Sequence, residues 1–302
     1  MKRLRFLLSL HTRDNDFQLA QAAAAGQIAR KLGVDLEVAY ADNDAVNQST
    51  QVLNAIQGRG EFRPDAIILE PISNIALPQA ATAASVAGIG WVVLNRTPDY
   101  LSQLRRTANA PVFAVGMDNL EIGRIQGRQF AALLPKGGTI LYVEGPSRSS
   151  SAEKRTAGML ETKPANIQVS TLKGEWTEQS ALRAVRSWLK LATSQSLACD
   201  LVSAQDDTMA MGARKAFQEI GDKKEQQRWL NLPFTGCDGQ PATGQAWVRE
   251  GLLTATISIP PFAGQAIEIL VKAINAGTQP PERALTTSHS IPPLDTLRQR
   301  KA

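Results

Sequence analysis

The residues with most chemical potential in this 302-residue chain stand just after short apolar runs. Asn95 and Arg96 follow the run 91–94, Asn15 and Phe17 follow the first run, and Glu70 ends "DAIILE". Further on, Arg155 lies in "SAEKRTAGM", Trp176 follows "VSTLKG", Asp206 follows "LVSAQ" and Asp238 follows "FTGC". An enzyme needs a nucleophile, an acid or base, or a metal. The two histidines, His11 and His289, have no serine or cysteine partner in a recognisable elbow, and G-x-S-x-G is absent. There is no Walker loop and no G-x-G-x-x-G after a strand. The loop "GPSRSSS" (145–151) could cradle an anion, although a flexible polar loop is its commoner meaning. Asp206, Asp207 and Asp238 read either as carboxylates for acid–base or metal work or as N-caps opening helices. Capping explains one Asp in each place and leaves the second unexplained.

Arginine, carboxylate and carboxamide groups beside aromatic faces suit a different task. A sugar or polyol offers neighbouring hydroxyls above flat C–H faces. Arg and Asp or Asn can each hold two adjacent oxygens in one plane, and aromatic rings cover the apolar faces. Such a site holds its ligand without reaction and needs no cofactor. Glu70 also reads as the partner of a lysine, Phe17 as a residue packed on the core, and Trp91 as core.

These groups need elements to position them. Apolar runs at 4–10, 34–40, 65–70, 89–94 and 111–116 predict strands, with helices over 17–32, 45–58 and 74–87 between them. Val46, Leu53 and Ile56 are the expected anchors of the second helix, and Asn74 is the expected cap of the third. The pattern restarts with helices over 119–134, 151–160, 177–193, 207–220, 239–250 and 261–276. Strands are predicted at 138–145, 166–174, 200–205, 232–236, 253–258 and 285–291. Alternation of short, continuously apolar strands with helices implies parallel sheets covered on both faces, an α/β doubly wound architecture. Two such series predict two similar lobes. Ligands of open parallel sheets bind beyond the carboxyl ends of the strands, where the polar groups named above fall.

Composition excludes other classes. The net charge of +5 comes from 33 basic and 28 acidic residues scattered along the chain, with no arginine stripe for nucleic acid. Cys199 and Cys237 lack CxxC spacing and a His cluster, so no structural zinc is expected and two free thiols are. No run approaches the roughly 18 apolar residues of a membrane span. The opening "MKRLRFLLSL" has too short an apolar part for a signal peptide and reads as a first strand.

"DNDF" (14–17), "LNR" (94–96), "SAEKRTAGM" (151–159), "AQDDTMAMGA" (204–213), "TGCDGQP" (235–241) and "LTATIS" (253–258), in that order, resemble the type I periplasmic sugar-binding proteins, the ribose-binding and lactose-repressor-like group. The resemblance covers almost the whole chain. It implies a monosaccharide held between two lobes that close by a hinge. By position it assigns Asn15 and Phe17 to a first-loop amide and stacking ring, and Asn95 and Arg96 to an Asp-Arg pair on the sugar hydroxyls. Arg155 falls on the arginine of the second lobe, Trp176 on the opposite aromatic face, Asp206 on an Asn and Asp238 on an Asp. Asn95 and Asp206 exchange amide and acid relative to ribose binders, Gln18 replaces a second aromatic, and Ile259 follows "TATIS" where the ribose binders carry a ligand-binding Gln. These departures point away from ribose to another sugar or polyol.

The expected lobes are 1–116 plus 260–284, and 117–259 plus 285–302. The expected function is non-catalytic: a monomeric periplasmic receptor for a sugar or polyol that delivers it to an ABC permease. A cytoplasmic sugar-sensing effector domain without a DNA-binding head is the alternative, and an enzyme using Asp206 and Asp238 is a third.

Overall fold

A computed structural model describes residues 3–13, 16–58, 63–72, 76–147, 149–192, 194 and 198–298. The chain divides into two compact units, Met1–Met117 with Pro261–Thr286, and Asp118–Pro260 with Thr287–Ala302.

The first unit is a six-stranded parallel sheet. Its strands are β1 (Arg5–Leu10), β2 (Asp35–Tyr40), β3 (Ala66–Leu69), β4 (Gly90–Leu94), β5 (Val112–Met117) and β11 (Arg283–Thr286), in the order β11-β5-β4-β3-β1-β2. Strands β3, β4 and β5 are buried at every position, which is why they read as unbroken apolar runs. The connecting helices are α1 (Asp16–Leu32), α2 (Ala45–Gln57), α3 (Pro78–Val86) and α4 (Leu101–Thr107). A later helix, α11 (Ala263–Ala276), packs on α1 through Gly264, which lies against Ala24 and Ile28. Gln21 of α1 accepts from the backbone N–H groups of Phe262 and Ala263 at 3.0 and 2.8 Å, satisfying donors at the start of α11.

The second unit has a four-stranded parallel sheet. Its strands β6 (Gly138–Glu144), β7 (Ile167–Lys173), β8 (Leu201–Ala204) and β9 (Phe234–Thr235) lie in the order β7-β6-β8-β9. Helices α5 (Asn119–Leu133), α6 (Ser150–Thr162), α7 (Glu178–Leu189), α8 (Asp207–Gln218), α9 (Lys223–Leu230) and α10 (Gly244–Arg249) connect and cover it. Asp118, Ser149, Thr177, Asp206 and Asp222 cap α5 to α9 with side-chain oxygens. Two short strands, β10 (Thr256–Ser258) and β12 (His289–Ile291), form an antiparallel pair. One face of the sheet packs Leu141, Val143, Val202 and Phe234 against Phe217 and Trp229, whose rings stack at 4.7 Å. The other packs Tyr142 and Ile140 against Phe130, Leu133 and Met159.

Several expectations need correction. Val46 is 75% exposed, and the anchors of α2 are Val52, Ile56 and the polar Gln48. Helix α3 starts at Pro78, after Leu77 at φ 53; Asn74 lies outside the described residues. Helices α4 and α9 escaped the sequence reading because each is short and mostly charged or polar. The helix expected over 239–250 begins only at Gly244, and the strand expected over 285–291 is two strands, β11 and β12. The buried stripe of α1 runs through Gln18, Gln21, Ala25 and Ala29, one residue on from the expected Phe17, Ala20, Ala24 and Ile28, which are half-buried. Apolar content misled there, because the buried amide oxygens of Gln18 and Gln21 accept backbone hydrogen bonds.

Candidate functional site

In each unit strand order reverses beside the central strand, between β1 and β3 in the first and between β6 and β8 in the second. Loops diverge at such a point and leave a crevice beyond the carboxyl ends.

In the first unit, β3 and β4 run side by side, with Leu69 opposite Val93, so the residues beyond them meet. Asn95 Nδ2 donates to Glu70 Oε1 at 3.3 Å. Glu70 is only 2% exposed. Its tip is fixed from behind by Gln48, which donates to the Glu70 carbonyl at 2.8 Å and accepts from Ile72 N–H at 3.0 Å. Asn95 adopts φ 66, and a Cβ on Gly116 would come within 3.1 Å of its Cα, so the neighbouring strand must be bare there. Burial lowers the Arg96 pKa, and the negative Glu70 offsets part of that shift. Phe17 meets Phe262 edge to face at 5.7 Å and 60°. His11 N–H donates to Gln18 Oε1 at 3.0 Å, so the residue at the expected second aromatic position secures the β1 tip. Asn15 lies outside the described residues.

The second unit gathers Arg155, Trp176, Asp206 and Asp238. Arg155, on α6, is 5% exposed. Its Nε donates to Asn119 Oδ1 at 3.0 Å, another nitrogen donates to the Gln205 carbonyl, and Asp238 lies 4.0 Å away. Its guanidinium sits 5.5 Å from the Trp176 ring centroid. Trp176 adopts φ 58 and covers Gly145, where a Cβ would stand 2.2 Å from the ring. Helices α5 and α6 approach closely enough for these contacts because Gly123 and Gly158 face the opposite backbone; a Cβ on either would lie 2.0 Å from a carbonyl oxygen. Burial alone would lower the Arg155 pKa, but Cys237, Asp238 and Asp206 together raise it above its ordinary value.

The three aspartates divide their work. Asp206 caps α8, accepting from Met209 N–H. Asp207 accepts from Gly239 N–H at 2.8 Å and from Thr256 Oγ1 at 2.6 Å, tying the loop after β9 to β10. Thus the second Asp of "QDD" is a brace. Gly236 and Gly244 leave it room, since a Cβ on either would meet its carboxylate at 2.3 and 1.9 Å. Asp238 adopts φ 108 with its side chain 27% exposed. Desolvation pushes Asp206 and Asp238 above the ordinary carboxylate range, while Arg155 pulls both down. Asp207 rises further through burial and the charge of Asp238.

Asn95, Trp176 and Asp238 are non-glycine residues at positive φ, a costly conformation that persists where the surrounding structure imposes it. Asn95 directly precedes the half-buried Arg96, and Trp176 and Asp238 lie beside the buried Arg155. The loop "GPSRSSS" is otherwise occupied: Ser149 caps α6 and Ser151 accepts from Asn119 Nδ2, while Arg148 lies outside the described residues. Glu70, Gln48, Asn119 and Gln205 escaped the sequence reading or were set aside. Gln48 had a signal, since it shares the i, i+4, i+8 spacing of Val52 and Ile56. Cys199 and Cys237 are buried free thiols. Among the described residues no cluster of three His, Cys, Asp or Glu is placed to hold a metal ion, and no helix is long and apolar enough to cross a membrane.

Residues 6–279 match the family described as periplasmic binding protein domain. The ribose import binding protein of Escherichia coli (strain K12) is 25% identical over 251 residues, covering 83% of this chain and 77% of that one. The D-apiose import binding protein of Paraburkholderia graminis is 28% identical over 280 residues, covering 90% and 82%. A solved periplasmic solute binding protein of an ABC transporter from Actinobacillus succinogenes 130z, with bound D-allose, has a similar fold, with a TM-score of 0.80, 24% identity and coverage of 95% and 97%. A galactofuranose binding protein aligns at a TM-score of 0.79, 23% identity and coverage of 95% and 94%.

Proposed function

The chain belongs to the family of periplasmic binding protein domains, and from that premise we propose that it binds a monosaccharide or polyol without transforming it, as the solute receptor of an ABC importer. The observation that carries this reading is the pairing, beyond the carboxyl ends of the strands of each unit, of an arginine with carboxylate or carboxamide groups. In the first unit these are Arg96, Asn95 and Glu70; in the second they are Arg155, Asp206 and Asp238, with Trp176 on the guanidinium. Planar donors and acceptors beside an aromatic face match a hydroxylated ring.

Relatives named as import binding proteins for ribose and D-apiose, and as a xylitol-binding protein, support a receptor over a regulator's effector domain. The roles of Asp206 as cap and Asp207 as brace favour binding over acid–base catalysis. The periplasm, an ABC permease partner and a monomeric state complete the proposal.

A thermal-shift screen tests it with D-ribose, D-allose, D-apiose, xylitol and myo-inositol, since a ligand of the folded state raises Tm. At least one should raise Tm, and Arg96→Ala and Asp238→Ala should each abolish that rise while the unliganded variants still melt cooperatively. A rise retained in both variants would sink the assigned site. Conversion of a binding sugar, followed by chromatography, would sink the non-catalytic reading.

A further inference from the structure

We propose that Glu70 and Asn95 form a two-acceptor clamp that takes hydrogen bonds from two neighbouring hydroxyl groups of a neutral sugar or polyol. This deepens the reading above and rests on it, adding which side of the hydrogen bonds the first unit supplies.

The clamp follows from the donor and acceptor inventory. A carboxylate only accepts, so the amide nitrogen of Asn95 must face Glu70 Oε1, as it does at 3.3 Å. That contact turns Asn95 Oδ1 away. Both Asn95 Oδ1 and Glu70 Oε2 are buried and have no hydrogen-bond partner. Orphan acceptors are uncommon in folded proteins, because each forfeits its bond to water. Here two belong to side chains that touch each other, on the adjoining tips of β3 and β4. Gln48 holds the backbone of one tip, and Asn95 is held at φ 66 on the other, so neither group can easily turn back to solvent.

A single hydroxyl carries one hydrogen, so two orphan acceptors call for two hydroxyls. An ammonium group could also supply two hydrogens, but the Arg96 guanidinium already faces the Glu70 charge and would repel a second cation. The ligand is therefore neutral at this position. A Glu70 that served only as a structural ion-pair partner would not hold an oxygen buried and bare.

The test is Glu70→Gln, which keeps the shape and removes the charge and one acceptor. Unliganded Tm should stay within about 2 °C, because the shape is kept and the loss of a counter-charge for Arg96 is offset by the lower desolvation cost of a neutral amide. By titration calorimetry, affinity for the tightest-binding member of the panel (D-ribose, D-allose, D-apiose, xylitol, myo-inositol) should fall about 10- to 100-fold. Monodeoxy analogues of that ligand should show two adjacent hydroxyls whose removal each costs the natural chain about tenfold or more; in the variant one of the two, the partner of Glu70, should cost less than about threefold while the partner of Asn95 keeps its cost. Affinity equal to the natural chain's, or a fall in unliganded Tm beyond about 5 °C, would overturn the clamp. In those cases the natural chain still binds, so the receptor reading stands; binding of nothing by the natural chain would overturn both.

Discussion

At the scale of single residues, the second unit keeps two carboxylates above their ordinary titration range, Asp206 at about 6 and Asp238 at about 7, with desolvation the larger cause in each. The folded chain therefore binds these protons more tightly than the unfolded chain does. Their contribution to stability is complete below the unfolded-state values and is lost as pH rises through the folded ones. Unliganded protein should thus melt higher near pH 5 than near pH 8, and the difference should shrink in Asp206→Asn/Asp238→Asn; a melting series across that range checks it. Arg155→Ala is a different kind of variant. It leaves the buried Asp206 and the half-buried Asp238 without their counter-charge and orphans Asn119 Oδ1, so it should cost about 3–5 kcal/mol, measured by urea denaturation. Its loss of binding would mix two effects, whereas Asp238, 27% exposed and 4.0 Å from its ion-pair partner, can be changed more cleanly.

At the scale of elements, the site depends on how closely helices approach. Arg155 and Asn119 meet because α5 and α6 cross over bare backbone at Gly123 and Gly158. Gly158→Ala places a methyl 2.0 Å from the Leu120 carbonyl oxygen, which no side-chain movement can relieve. The helices must separate, at a cost of about 1–3 kcal/mol, and the arginine moves with them. Expected outcomes are a lower Tm and weaker sugar binding, with Gly221→Ala, where a Cβ meets nothing within 4 Å, as the neutral control. The motif "SAEKRTAGM" therefore carries an arginine and the glycine that positions it.

At the scale of the whole molecule, each unit is built from separate stretches of chain. Residues 1–117 alone would lack α11, which packs on α1 and whose first N–H groups Gln21 satisfies, and β11, which edges the sheet beside β5. That fragment should show no cooperative melt by circular dichroism. Joining it by a flexible linker to 261–286 should restore one. Independent folding of 1–117 would mean that the sheet alone carries the unit's stability.

The alternation of elements, the α/β class and the strand tips where polar groups collect are legible in the amino-acid order, because burial on both faces of a parallel sheet demands unbroken apolar runs whatever the partners are. That order also marked Arg96, Arg155, Trp176, Asp206 and Asp238, whose types stand out at the ends of such runs. Which tips are neighbours and which oxygen meets which donor is set by the folded arrangement. Glu70 and Asn95 lie 25 residues apart and meet because β3 and β4 are adjacent. Asp206 and Asp207 are one residue apart yet cap and brace respectively, since successive side chains leave a helix start in different directions. Local pattern reports what a residue can do, whereas strand order and helix approach set what lies within about 3 Å of it, the reach of a hydrogen bond.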